Sequence, residues 1–255
     1  MEKNAFKKDF LWKKTSVPVG LIVVLSVVSM YCVIALARYE FLSDRKIIER
    51  FIQLYYRSKV WNSTKWLGIP SVQNPCDMWA MQEIITEVKP DFIVETGTYK
   101  GGSSLFYASV LEGVHPRGKV ITVDIESYVR DASRSDTFKK HVEFIQGDSV
   151  SPEVIRVIAE RVKGHKVMVT LDSLHTKEHV LKEMERYSPL VSVGSYLVVQ
   201  DTIASSPSFS PLGLGGGPLE AVGEFLAKND NFVIDRTREK FLLTFYPSGY
   251  LKRVR

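Results

Sequence analysis

The sequence predicts a doubly wound α/β domain, a seven-stranded and mainly parallel Rossmann-like sheet, preceded by one transmembrane helix. Three observations predict it. A charge-free apolar run lies near the N-terminus. Beyond Trp61, short runs rich in β-branched residues alternate with helical patterns. Several of those short runs close on an acidic residue.

The apolar run extends from Ser16 to Ala37. At about 1.5 Å per residue it is long enough to cross a hydrocarbon layer of about 30 Å. Its end, Ala35-Leu36-Ala37, also has the small-x-small pattern of a cleaved leader, so both readings stand and the retained anchor is preferred. Residues 1–15 form a basic tail with Lys3, Lys7, Lys8, Lys13 and Lys14. Arg38, Arg45, Lys46, Arg50 and Arg57 follow the run, so the positive-inside comparison selects no orientation. Over residues 38–60 apolar pairs recur at helical spacing between basic residues. This predicts an amphipathic helix, laid on a bilayer or packed on the domain.

Residues 61–255 make one domain. Strands are expected at 91–95, 119–124, 142–145, 166–172, 195–201, 232–235 and 241–246. Helices are expected at 77–88, 103–111, 152–162, 176–187 and 218–228. The short link Arg236–Lys240 predicts that the last two strands form an antiparallel hairpin. The rich stretch of Gly, Pro and Ser from Ile203 to Pro218 is too long for a simple connection and reads as a lid or a surface loop.

Composition narrows the function. Lys and Arg number 34 against 29 Asp and Glu, a net charge of +5, but the basic residues are spread along the chain. No nucleic-acid-binding signature accompanies them, so no nucleic-acid partner is expected. The two cysteines, Cys32 and Cys76, form no CxxC pair, which argues against a disulfide framework and a structural zinc site. Self-association stays open.

Acidic residues at Glu95, Asp124, Asp172 and Asp201 close four expected strands. In an open α/β sheet ligands bind outside the carboxyl ends of the strands, so these carboxylates converge on one crevice. The run Glu95-Thr96-Gly97-Thr98-Tyr99-Lys100-Gly101-Gly102-Ser103 passes from a strand into a helix. Glycine lets backbone approach a ligand closely, and a helix N-terminus receives a carboxylate. The spacing matches neither GxGxxG nor a P-loop. With Glu95 before it, the turn suits a ligand carrying both ammonium and carboxylate. Asp124 stands where a carboxylate accepts ribose hydroxyls. Asp148 and Ser149 close the third strand and either edge a base or cap the next helix. Asp172 and Asp201, with Gln200 beside them, make an oxygen-rich site suited to Mg²⁺. His175 follows Asp172 by three residues and is a candidate general base; a capping role is the alternative.

Seven stretches carry a family resemblance: WLGIP at Trp66–Pro70, NPCD at Asn74–Asp77, QEII at Gln82–Ile85, KPDFIVETGTYKGGSSLF, LDSLHTKEHVLKEMERYSPLVSVGSYLVVQDT, GPLEAVGEFL and EKFLLTFYPSGYLKR. In order and spacing they resemble the cephalosporin hydroxylase and rhamnosyl O-methyltransferase group of class I methyltransferase folds. The resemblance implies S-adenosylmethionine along Glu95–Ser103, hence at Thr96, Gly97, Gly101 and Ser103, and at Asp124. It also implies a divalent cation, usually Mg²⁺, at Asp172 and Asp201. The group often has an acidic residue where this chain has Gln200, which puts the strength of metal binding in question. In the more distant catechol O-methyltransferases a basic catalytic residue stands where His175 stands here. The expected enzyme is an O-methyltransferase, single-pass in the membrane and facing the cytosol, acting on a sugar, glycolipid or secondary metabolite. The alternatives are a hydroxylase, for which the chain has no His-x-Asp iron motif, and a non-catalytic cofactor-binding subunit that scaffolds a membrane complex.

Overall fold

The computed structural model describes residues 18–205 and 216–255. The basic tail and most of the expected lid lie outside them. The chain divides into two compact units at Glu49 and Arg50.

The first helix, α1 (Val19–Ser58), is one continuous run of 40 residues that absorbs both helices expected at 16–37 and 38–60. No proline or glycine stands between Gly20 and Ser58 to break it. Its Val19–Tyr39 portion is long and apolar enough to cross a membrane.

The second unit is built on a sheet of β3 (Phe92–Thr96), β4 (Lys119–Asp124), β5 (Val142–Gln146), β6 (Val167–Leu171), β7 (Tyr196–Val199), β8 (Phe232–Ile234) and β9 (Tyr250–Arg253), after a small hairpin of β1 (Lys65–Trp66) and β2 (Ile69–Pro70). The spatial order is β5-β4-β3-β6-β7-β9-β8. The first five strands are parallel and β9 runs antiparallel to both neighbours. Strand order reverses between β3 and β6, which is where an open α/β sheet forms its ligand crevice.

Alternation along each strand feeds two cores. Val94, Ile121, Val169, Leu171 and Val199 pack against α5 (Pro152–Val162), α6 (Lys177–Tyr187) and α7 (Pro218–Lys228). Ile93, Val120, Met168 and Val198 pack on the other face, against α2 (Pro75–Val88) and α3 (Gly102–Val114). All five residues of β6 are buried, as a central parallel strand covered on both faces requires. Helix starts are locally encoded. Asn74, Ser151 and Thr176 cap α2, α5 and α6 through their side chains, and proline takes the first position of α2, α5 and α7.

One expected strand is corrected. Residues 241–246 are not in the sheet, and Tyr250–Arg253 takes the final place. Leu242 turns the backbone to φ +60, and Thr244 Oγ1 and Phe245 N donate to the buried carboxylate of Asp77 instead of a ladder. The β8–β9 link is therefore the whole run from Asp235 to Gly249, longer than Arg236–Lys240. The β1–β2 hairpin and a short helix, α4 (Asp136–His141), carried no strong pattern in the sequence.

Candidate active site

The carboxyl ends of β3 to β7 are held level by backbone bonds. Asp172 N donates to Thr96 O (2.9 Å), Gly97 N to Val123 O (2.8 Å), Gly147 N to Asp124 O (2.8 Å) and Gln200 N to Leu171 O (3.0 Å). Above this edge opens a cleft of about 1050 Å³, lined among others by Gly97, Tyr99, Ser103, Asp124, Asp148, Ser149, Asp172, His175, His179 and Asp201. Glu95, Thr96, Gly101 and Gln200, expected at the site, do not line it.

On the β3–β5 side the acidic groups already have protein partners. Glu95 is wholly buried, and its Oε2 accepts from Ser104 Oγ and from Thr122 Oγ1 (2.6 Å). Burial raises its carboxyl above the usual range, and hydroxyls of Ser103, Ser104 and Thr122 draw it partly back. Its Oε1 and the Thr96 hydroxyl have no partner among the described residues. Asp124 accepts from Tyr99 N (2.8 Å) and Glu126 N (3.1 Å). Asp148 accepts from Val150 N (3.0 Å), and Ser151, not Asp148, caps α5. Ser149 donates to Glu183 Oε1 (2.6 Å), a buried carboxylate whose hydrogen bond also raises the pKa of His179 at the cleft wall.

The glycines of the β3–α3 turn answer to the protein itself. A Cβ on Gly97, at φ +85, would lie 1.8 Å from Asp172 O; one on Gly102 would lie 2.2 Å from Pro70 O. Close backbone alone requires glycine at both positions, and both also line the cleft.

On the β6–β7 side the groups face one another. His175 Nε2 lies 3.7 Å from Asp172 Oδ1 and 3.4 Å from Asp201 Oδ2. One ligand atom from each of the three falls within 4.8 Å of the others. Burial, then the charges of Asp201 and Glu95, push the Asp172 carboxyl well above the usual carboxylate range. Burial raises Asp201 too, and His175 offsets part of it. Both carboxylates remain open to the cleft, at 18% and 33% side-chain exposure. Asp201 is reached at φ +51, in the left-handed region. Mutually repelling carboxylates with an imidazole alongside fit a divalent cation, which would cancel the repulsion.

Gln200 does not join this set. Its Oε1 accepts from Gln73 Nε2 (2.9 Å) and Tyr246 OH (2.5 Å), and its Nε2 donates to Thr170 Oγ1 (2.8 Å) and Tyr107 OH (3.2 Å). The Tyr246 hydroxyl has one hydrogen for the amide oxygens of Gln200 and Gln73 together, and Gln200 is buried in this network, away from the cleft lining where a metal contact was expected.

The family model for rhamnosyl O-methyltransferase/CmcI matches residues 58–254. The chain belongs to this family. Membership makes it an O-methyltransferase. The rhamnosyl O-methyltransferase of Mycobacterium leprae (strain TN) is 35% identical over 212 residues, covering 81% of this chain and 90% of that protein. Among solved structures, CmcI with Mg and SAM superposes with a TM-score of 0.57 at 19% identity, over 76% of this chain and 78% of that one. The O-methyltransferase TomG from Streptomyces achromogenes, in complex with SAM, gives 0.52 at 16% identity, over 72% and 82%. At those identities the two structures establish the fold.

Sequence reasoning missed Gln73, Tyr246 and Glu183, which this family member places behind the site. Gln73 and Tyr246 fall within or beside quoted family stretches, but nothing local marks them. Glu183 lies one turn beyond His179 on α6, and that i,i+4 spacing was a usable signal. Tyr56, Trp61 and Asn62 form a further wall of the cleft. Tyr56 and Trp61 stack at 5.4 Å, with Phe245 edge-on to both.

Proposed function

We propose that this enzyme transfers the methyl group of S-adenosylmethionine to a hydroxyl of a sugar, on a glycolipid or secondary metabolite, with a divalent cation such as Mg²⁺ held by Asp172 and Asp201. One observation carries the reading: a cofactor-sized cleft at the strand-order reversal has at one end a facing pair of carboxylates with an imidazole between them. The N-terminus of α3, with Ser103 at the cleft, receives the methionine carboxylate. Asp124 keeps a lone pair on each oxygen beyond its two backbone bonds and takes the ribose hydroxyls. Asp148 and Ser149 edge the base.

Bound S-adenosylmethionine supplies an electrophilic methyl group. A bound divalent cation supplies Lewis-acid polarisation of the acceptor hydroxyl. Asp172 and Asp201 hold that end of the site together, and His175 Nε2 takes the hydroxyl proton. The Tyr56–Trp61 wall gives the apolar face of a sugar ring a surface to pack on while its hydroxyls face Asp201. CmcI was solved with Mg and SAM, and the mycobacterial relatives are named for a rhamnosyl acceptor, which supports both parts of the reading.

The Val19–Tyr39 helix anchors the chain as a single pass, with residues 1–15 as a basic tail, 38–60 as a juxtamembrane helix and 61–255 as the catalytic domain in the cytosol, where the methyl donor is made. The test uses full-length protein in detergent with a methyl-labelled donor, Mg²⁺ and glycolipid acceptors. Label transferred to a sugar hydroxyl is the expected result. Donor binding without transfer to any sugar acceptor would favour a scaffolding subunit. Protease protection of the C-terminal domain in sealed cytosol-out vesicles would contradict the topology.

A further inference from the structure

Behind the two carboxylates lies a buried polar network that no part of the proposed chemistry uses. Its centre is Gln73, 6% exposed and on the segment just ahead of α2. Both hydrogens of its Nε2 are committed, one to Asp172 Oδ2 (2.7 Å) and one to Gln200 Oε1 (2.9 Å). Its own Oε1 meets the Tyr246 hydroxyl. Two acceptors, the Asp172 carboxylate and Gln200 Oε1, set this orientation of the Gln73 amide. Flipped, it would aim a carbonyl oxygen at the Asp172 carboxylate and its NH₂ at the Tyr246 hydroxyl. The neighbouring Gln200 amide donates in turn to Thr170 Oγ1 and Tyr107 OH.

The backbone is shaped to deliver this side chain. Val72 adopts φ +55, a left-handed conformation that is costly for a β-branched residue. Gln73 N donates to Thr64 Oγ1 (2.9 Å), and that hydroxyl lies 3.0 Å from Gln73 O. Backbone strain beside the site, a clamped main chain and a fully committed amide together point to placement of the carboxylate.

We propose that Gln73 is a positioning residue for the cation site: it occupies Asp172 Oδ2 and thereby turns Oδ1 toward the cleft, with the Tyr246 hydroxyl holding the far side of the amide. This rests on the reading of Asp172 and Asp201 as cation ligands. Asp172 Oδ1 would then be the oxygen offered to a cation, and the Gln73 bond would restrain the carboxylate from rotating. Partners of this kind, one step behind a ligand, change metal affinity by about 10–100-fold when removed.

The test is calorimetric titration of MgCl₂ into full-length protein in detergent, beside adenosylhomocysteine titrated in the presence of chelator. Gln73→Leu should weaken Mg²⁺ binding about 10–100-fold and leave adenosylhomocysteine affinity within about twofold. Tyr246→Phe removes one hydroxyl without touching the backbone path, and should weaken Mg²⁺ by a smaller factor with the same selectivity. Unchanged Mg²⁺ affinity in both variants would overturn the proposal. So would equal losses of Mg²⁺ and adenosylhomocysteine affinity, which mark a general structural role. Absence of Mg²⁺ binding in the wild type would instead remove the cation reading beneath it.

Discussion

The two halves of the cleft differ in how they treat acidic side chains that the strands bring to the same level. On the β3–β5 side the carboxylates are occupied: Glu95 by hydroxyls beneath the turn, Asp124 by backbone of the turn above it, Asp148 by its own loop. On the β6–β7 side Asp172 and Asp201 face each other and His175, with Gln73 holding one oxygen from behind. The first half is a finished wall, ready to take a ligand by shape and by spare lone pairs. The second holds repulsion that His175 and Gln73 offset only in part, and that is the half suited to a cation. A carboxylate at a strand end is therefore not yet a functional group; what it faces decides.

Substitutions can break this contrast, and the largest effect belongs to the cation half. Asp201→Ala should lower methyl transfer by about a thousandfold, close to 4 kcal/mol of barrier, while cofactor affinity measured in chelator holds; initial rates with labelled donor check it. Gly97→Ala strikes the point where the halves touch. A Cβ there meets Asp172 O at 1.8 Å and the backbone stays at φ +85. Denaturant unfolding should show a loss of more than about 3 kcal/mol, with both ligands weakened together.

Asp77 sharpens the contrast from below. Burial raises its pKa from 3.8 to about 6, against hydrogen bonds from Phe245, Thr244, Tyr250 and Asn74 that lower it. A folded-state pKa above the unfolded value gives stability that is full below pH 4 and lost as pH rises through about 6. The span from 3.8 to about 6 corresponds to about 3 kcal/mol at most. Unfolding free energies from pH 4 to pH 7 should therefore fall less steeply in Asp77→Asn than in the wild type. The smallest effect is expected at Asp148, whose carboxylate is exposed and serves a local turn. Asp148→Ala, which removes one polar edge of the base, should weaken cofactor affinity by about fivefold.

Much of the frame was readable in the residues. Short apolar runs located six of the seven sheet strands, and the acidic residues at the ends of β4 and just past β6 located the crevice. Local signals failed where long-range partners decide. FLLTFY looks more like a strand than YLKR does, yet Asp77 claims the backbone of the former. Gln73 meets an aspartate 99 residues away and a tyrosine 173 away, and no periodicity reports such contacts. Glu95 stands one residue short of the end of β3, and the pleat turns it beneath the α3 turn, away from the cleft. Gln200 looked like an oxygen ligand because it precedes Asp201; it is instead buried against Gln73, Thr170 and Tyr107.

The central claim, that one cleft holds a cofactor half and a separate cation half, is tested most directly by calorimetry on wild type and Asp172→Ala. The account predicts that wild type binds both adenosylhomocysteine and Mg²⁺, and that the variant loses Mg²⁺ while binding adenosylhomocysteine within about threefold of wild type. A variant that loses adenosylhomocysteine as completely as Mg²⁺, or a wild type that binds no adenosylhomocysteine, would contradict it.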